Sequence, residues 1–172
     1  IEKVVRGLLD FTRVKEYRFA CARFAPVVEH SLALVSYRLQ GDRIRIIWDP
    51  ASGGEISGRW DGPQLEQVLV NLLLNAIDAL EERGGGTITL KASRSGSQAL
   101  LRVCDDGPGI PAENLTRVLD PFFTTKGPDK GTGLGLSVSD KIIQDHGGSL
   151  EVESPPGGGA IFTLRLPAET ST

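Results

Sequence analysis

Three polar side chains interrupt an apolar stretch at helical spacing. Asn71, Asn75 and Asp78 lie four and three residues apart, so on a helix they share one face. Gln64 and Gln67 extend that stripe. Asn is a poor mid-helix residue because its amide competes for backbone hydrogen bonds, so two of them one turn apart need a reason. An amide oxygen is a hard ligand suited to Mg2+, which takes few protein ligands and keeps phosphates and waters. A solvated helix face carries the same residue types, and the stripe alone does not choose.

Two glycine-rich segments follow. In Val103-Cys104-Asp105-Asp106-Gly107-Pro108-Gly109-Ile110 an apolar strand pattern runs into two carboxylates and a turn. A carboxylate accepts a hydrogen bond from an adenine amino group and so selects that base. Gly107 and Gly109 permit close approach, although Asp-Gly and Gly-Pro are also plain turn dipeptides. In Gly131-Thr132-Gly133-Leu134-Gly135-Leu136 the glycines lead straight into a helix. Such a start offers backbone N–H groups and the helix dipole to a phosphate, and a flexible hinge has the same composition. Neither a P-loop nor a dinucleotide fingerprint fits.

Between these segments lie Pro121-Phe122-Phe123-Thr124-Thr125-Lys126 and Gly127-Pro128-Asp129-Lys130. Two aromatics beside hydroxyls and lysines suit a lid anchored by apolar contacts, with Lys126 and Lys130 meeting a terminal phosphate. An exposed loop whose lysines serve solubility fits the same residues. Gly157-Gly158-Gly159 turns the chain into the strand Ala160-Ile161-Phe162, which fits architecture before chemistry, although Phe162 could also floor a base pocket.

The elements that must hold these residues can be read from periodicity. Residues 1–13 read as the end of a helix, and 14–25 as a linker or short strand. Pro26 opens a second helix, 44–48 alternates as a strand, Gly53-Gly54 turns the chain, and 56–60 is a short strand. Asp61 caps a long helix with Pro63 in its first turn, and Leu65, Leu69, Leu72, Leu73, Ala76 and Leu80 form its buried stripe. Gly84-Gly85-Gly86 ends it near Arg83. Strands are expected over 87–93, 98–104, 149–154 and 160–166, and helices over 112–119 and 134–146, with a polar loop over 120–132. There is no strict βαβ repeat, so the fold class is α/β, a two-layer sandwich of one mixed sheet covered by helices on one face.

Composition excludes several classes. The chain has 172 residues, 40% hydrophobic and 24% charged, as ordinary soluble domains have. A net charge of −3 argues against a nucleic-acid surface. Glycine, at 21 residues, is well above the usual ~7%. No apolar run reaches the ~18 residues of a membrane span. Cys21 and Cys104 match no metal or redox spacing, Cys104 reads as a buried thiol, and a reducing compartment suits both. The absence of methionine leads us to expect a piece of a longer protein.

The order and spacing of these segments resemble, box for box, the ATP-binding domain of sensor histidine kinases in the GHKL superfamily. Asn71-Leu72-Leu73-Leu74-Asn75-Ala76 looks like the N box and residues 105–110 like the first glycine box. Phe122-Phe123 sits at the F box, and Gly131-Thr132-Gly133-Leu134-Gly135-Leu136 looks like the second glycine box. His146-Gly147-Gly148 and residues 162–167 are also similar, and the match spans about 24–167. The lid resembles that of the nitrogen-regulation and dicarboxylate-sensing group.

The resemblance implies the Bergerat fold, with ATP and Mg2+ as cofactors. It implies that Asn75 binds the metal, that Asn71 supports the phosphates, and that Asp78 shares their nucleotide-facing stripe. Asp105 would accept from the adenine amino group, and Gly107, Gly109 and Ile110 would line base and ribose above Phe162. Thr124, Thr125, Lys126, Gly131 and Thr132 would belong to a mobile ATP lid, with Phe122 at its edge. Gly133 and Gly135 would let Leu134, Gly135 and Leu136 offer N–H groups to phosphate. Catalysis would rest on Asn71, Lys126 and Lys130.

The implied organisation is the end of a second dimerisation helix (1–13), a linker (14–25), the catalytic domain (26–167) and a tail (168–172). The implied partners are the dimerisation and histidine-phosphotransfer domain of the parent chain and a response-regulator receiver domain, with no nucleic acid. The location would be cytoplasmic, whether the parent is soluble or anchored in a membrane. His30 and His146 match no phosphoacceptor motif. ATP-hydrolysing relatives such as gyrase carry a glutamate four residues before the metal Asn, where this chain has Asn71. An amide cannot be that general base, which favours transfer to a side chain over hydrolysis. A serine kinase of the anti-sigma-factor type, or a non-catalytic nucleotide-binding scaffold, would share the boxes.

Overall fold

A computed structural model describes residues 16–39, 41, 43–127 and 131–169. The helix expected over 1–13, Lys130 and the last three residues of the tail lie outside the described residues.

The chain runs β1 (Ala20–Arg23), α1 (Phe24–Val35), β2 (Ile44–Trp48), α2 (Pro50–Gly54), β3 (Ser57–Trp60) and α3 (Gly62–Arg83). It continues through β4 (Gly86–Ser95), β5 (Gln98–Asp105), α4 (Ala112–Leu115), α5 (Gly135–Asp145), β6 (Ser149–Glu153) and β7 (Ile161–Pro167). Strands β1 and β3 pair antiparallel as a small two-stranded sheet. The main sheet has the order β2-β4-β5-β7-β6. Only its β2–β4 pair is parallel, so the sheet is mixed as expected.

Alternation decides which face is covered. Ile88 and Leu90 of β4, Leu101 and Val103 of β5, and Phe162 and Leu164 of β7 are buried against α3 and α5. Lys91, Arg102 and Arg165 share the opposite face, with Lys91 opposite Arg102 and Arg165 opposite Leu100. Burying one face and leaving charge on the other is the two-layer solution. Helix α1 packs on α3 from outside. There the Phe24 ring stacks on Trp60 at 4.7 Å, and Trp60 Nε1 donates to Pro167 O at 2.8 Å.

Helix α3 carries the site, and its limits follow from its sequence. The Asp61 carboxylate caps it, accepting from Gln64 N–H at 3.1 Å, with Pro63 in the first turn. Every residue of its expected apolar stripe is buried. Gly84, at φ +97°, ends it in the left-handed conformation.

Other limits differ from the periodic reading. Helix α1 starts at Phe24, because Pro26 fits inside a first turn whose N–H groups need no partner within the helix. Gly53-Gly54 closes a short helix instead of making a turn, since Asp49 and Pro50 form a helix start and Asp49 Oδ1 accepts from Ala51 N–H at 3.0 Å. Gly86 is already strand, paired beside Ile44. The helix expected over 112–119 stops at Leu115 and gives way to tighter turns, Asp120 N–H bonding Arg117 O at 2.8 Å. Pro121 has no N–H and biases Asp120 away from helix, so longer propagation has no support. Cys104, expected to be buried, is only partly so.

The segment leading into β1 is docked. Tyr17 Oη donates to Asp145 at 2.7 Å, and the Tyr17 and Phe19 rings meet His146 edge-on at 5.4 and 5.0 Å. His146 Nε2 accepts from Asp61 N–H at 3.0 Å, so its proton sits on Nδ1, which donates to Ile142 O at 2.7 Å. Asp61 also accepts from Arg18 N–H at 2.7 Å. Asp61 is 5% exposed, so Asp61→Ala strands two donors and is expected to cost ~2 kcal/mol in urea unfolding.

Candidate functional site

A cavity of about 430 Å³ opens between α3, the end of β5 and the loop that leads into α5. From α3 its wall takes Asn71, Asn75 and Asp78, three of the stripe that the spacing placed on one face. From the end of β5 it takes Asp105, and from the turn after it Gly109 and Ile110, with Phe162 of β7 also on the wall. From the loop it takes Thr124, Thr125, Lys126, Gly131, Thr132 and Gly133, and from the start of α5 Gly135 and Leu136.

Gly107, Phe122 and Leu134 are not on the wall. Gly107 works from behind: its N–H donates to Asp105 Oδ1 at 2.9 Å, and its carbonyl accepts from Gly159 N–H at 2.7 Å. Leu134 is buried in the core. Phe122 is 58% exposed, and its neighbour Phe123 lines the cavity with the Arg117 guanidinium 4.9 Å above its ring. Phe122 is also the one non-glycine residue with positive φ among the described residues, at +66°. Its N–H donates to Gly133 O at 2.9 Å, which fastens the two ends of the loop together.

Asp105 is the half-buried carboxylate of the cavity. Its Oδ1 accepts from Gly107 and Ala160 N–H at 2.9 and 3.3 Å. Its Oδ2 has no protein donor among the described residues. Burial raises the carboxyl above its ordinary value, and the two backbone donors only partly offset that. Ser154 pins the turn beside it: its Oγ accepts from Ile110 N–H and donates to Gly159 O, both at 2.8 Å.

On α3 the three polar residues do different things. Asn71 Nδ2 donates to Ser139 Oγ at 3.0 Å, tying α3 to α5. Asn75 Oδ1 accepts from Lys126 Nζ at 3.3 Å. Asp78 bonds Lys126 Nζ at 2.6 Å and Arg38 Nη2 at 2.8 Å. Burial raises the Asp78 carboxyl, but the bonds from Lys126 and Arg38 outweigh it and hold the group below its ordinary value.

The start of α5 has no capping side chain at Leu134. The N–H groups of its first turn are therefore open to an anion. A carboxylate with one oxygen unspent, two amides, an ammonium and a helix N-terminus thus converge on one cavity. They suit a nucleotide whose base meets Asp105 and whose phosphates meet α5 and Lys126.

Sequence reading missed Arg38, Ser139 and Ser154. Their partners are 40, 68 and 44 residues away, so no local pattern signals them.

The family model described as histidine kinase-, DNA gyrase B-, and HSP90-like ATPase matches residues 60–170. The sensor histidine kinase ZraS of Salmonella typhi is 38% identical over 170 residues, 97% of this chain and 35% of that protein. Full-length ShkA in complex with AMPPNP superposes with a TM-score of 0.81 at 26% identity, over 99% of this chain and 36% of that one. Histidine kinase ThkA in complex with the response regulator TrrA superposes with a TM-score of 0.80 at 26% identity, over 98% and 47%. The chain spans about a third of the length of the curated relative.

Proposed function

Because the chain belongs to the histidine kinase-, DNA gyrase B- and HSP90-like ATPase family, we propose that it is the catalytic domain of a sensor histidine kinase. In that role it passes the γ-phosphoryl group of ATP to a histidine on another domain, for relay to a response-regulator aspartate. The observation that carries this reading is the single cavity in which Asp105, Asn75, Lys126 and the start of α5 face one another. The likeness to ZraS, to AMPPNP-bound ShkA and to ThkA beside its response regulator supports it.

In this assignment Asp105 Oδ2 accepts from the adenine amino group, with Ile110 and Phe162 on the base. The open N–H groups at Gly135 and Leu136 take phosphate oxygens, and Thr124, Thr125 and Thr132 lie along the same wall. Gly107 and Gly109 shape the turn, Leu134 anchors α5 in the core, Phe122 fastens the lid to Gly133, and Gly131 lies within the lid on the cavity wall. Lys126, and Lys130 by sequence, supply positive charge to the terminal phosphate.

The oxygens present fit Mg2+. Asn75 Oδ1 and Asp78 Oδ2 already converge on one cation, the Lys126 ammonium. When bound, the ion would neutralise phosphate charge, with Asn75 as its ligand. Asn71 cannot remove a proton from water, which supports transfer over hydrolysis; one N–H of its Nδ2 goes to Ser139 Oγ, and the other serves a phosphate oxygen.

The acceptor comes from elsewhere. His30 is exposed beside Glu66, and both nitrogens of His146 are hydrogen-bonded in the interior. We assign residues 26–167 to the catalytic domain, 14–25 to its connection with the dimerisation helix (1–13), and 168–172 to a tail. No helix among the described residues is long and apolar enough to cross a membrane. The proposed reaction uses ATP and therefore places the domain in the cytoplasm.

The test is labelling with γ-labelled ATP, Mg2+ and a separately supplied histidine-phosphotransfer domain. Acid-labile phosphate should appear on that domain and none on this chain. Label on His30 or His146, or no nucleotide binding in calorimetry, would sink the reading.

A further inference from the structure

The hydrogen bonds around the lid lysine form one circuit. Lys126 Nζ donates to Asp78 Oδ2 at 2.6 Å and to Asn75 Oδ1 at 3.3 Å. Arg38 Nη2 donates to the other Asp78 oxygen, Oδ1, at 2.8 Å and to Glu81 Oε2 at 2.8 Å. Arg38 sits outside the nucleotide cavity, at the end of the 3-10 turn after α1, whereas Asp78, Asn75 and Lys126 are on its wall. Asp78 is therefore gripped from behind by one cation and engaged from the cavity side by another.

Two of these partners are fixed and one is not. Asn75 and Asp78 stand one turn apart on the longest helix of the fold, and Arg38 braces Asp78 against it. Lys126 arrives from the loop 48 residues away on a four-carbon stem. Its ammonium uses the same Asn75 oxygen that the proposed metal would use. An ammonium and a divalent ion a few ångströms apart repel strongly at the effective dielectric of a half-exposed site. Only one of them can hold Asn75 Oδ1.

We propose that Lys126 is a tethered counter-cation that exchanges with the divalent ion at Asn75. In the nucleotide-free domain the ammonium neutralises Asp78 and occupies Asn75. The ion's arrival expels it, and the released Nζ is then available to the phosphates. Asp78, held by Arg38, is the positioning residue that sets how readily the exchange runs. Lid placement and metal binding become one event, which a lysine merely aiding solubility would not give. The inference rests on the assignment of Asn75 as the metal residue.

The test is Mn2+ binding without nucleotide, read from the loss of the free-ion paramagnetic resonance signal. Removing the competing charge in Lys126→Met should tighten Mn2+ binding roughly fivefold, the scale of an ion pair about a third exposed. Lys126→Arg, which keeps the charge, should stay at the parent affinity. Asn75→Ala added to Lys126→Met should abolish the gain. Equal Mn2+ affinity in the parent and Lys126→Met, or none detectable in either, overturns the exchange. Calorimetry with Mg2+ and a non-hydrolysable ATP analogue on the same proteins separates the two ideas. Failure of the parent to bind nucleotide would instead remove the functional reading on which the inference stands.

Discussion

Asp105→Asn should weaken binding of an ATP analogue about 100-fold, ~3 kcal/mol, while leaving the fold intact. The asymmetry comes from how the two oxygens are used. Oδ1 is committed to Gly107 and Ala160 N–H, and an amide oxygen can take over both bonds. That choice turns Nδ2 toward the place Oδ2 held. There a donor meets the adenine amino group, itself a donor, and the pair loses its bond and gains a clash. Nucleotide calorimetry measures the loss, and selectivity for ATP over GTP should shrink with it.

Stability should move the other way. The folded Asp105 carboxyl is raised above its ordinary 3.8, mainly by burial. Folding therefore disfavours its charged form. The contribution of Asp105 to stability is fully present below pH 3.8, where the group is protonated in both states, and is lost as pH rises through the raised folded value. Asp105→Asn removes that loss, so at neutral pH the variant should be at least as resistant to urea as the parent. The advantage should vanish on acidification. Nucleotide affinity of the parent should fall over the same window, as the protonated carboxyl ceases to be a pure acceptor. Unchanged affinity in Asp105→Asn would place the base elsewhere.

What could be read before folding, and what could not, divides by the range of the interactions. Helix α3 was legible because its signals are local: Asp61 at the cap, Pro63 in the first turn, a 3.6-residue apolar period and Gly84 at the end. The two glycine-rich segments were legible for the same reason. Each couples a short turn to the element beside it. Sequence also brought Asn71, Asn75 and Asp78 to one face. It could not assign them separate partners, because Ser139, Lys126 and Arg38 are 68, 51 and 40 residues away along the chain. Ser154 was invisible on the same ground. Of the adjacent pair Phe122 and Phe123, spacing could not say which faces the cavity. The answer depends on the left-handed backbone at Phe122 that its bond to Gly133 imposes. The helix expected over 112–119 ends at Leu115 instead, where tighter turns take over ahead of Pro121.

The junction of α3 with α5 carries the second large effect. Gly135 is the first residue of α5, and a Cβ built there would lie 2.4 Å from Asn71 Oδ1 and 3.0 Å from its Cγ. Asn71 cannot step aside freely, since its Nδ2 is bonded to Ser139 Oγ and Ser139 is 2% exposed. Gly135→Ala must therefore break that bond or push the two helices apart. The expected cost is ~3 kcal/mol, from overpacking plus a stranded buried hydroxyl, read as a lower urea midpoint. Helix propensity alone predicts the opposite sign, because alanine is favoured over glycine by about 1 kcal/mol within a helix. The direction of the change thus decides whether close approach or propensity governs the position. Asn71→Ala opens the space that the new Cβ needs. In the double variant most of the stability lost to Gly135→Ala should return, with a coupling of ~1 kcal/mol or more between the two sites. Nucleotide binding should be weak in the double variant even so, because the Asn71 amide that the resemblance gives to the phosphates is gone. Recovery of both together would mean that Asn71 serves only to pack α3 against α5, and that the phosphates are held by the start of α5 without it.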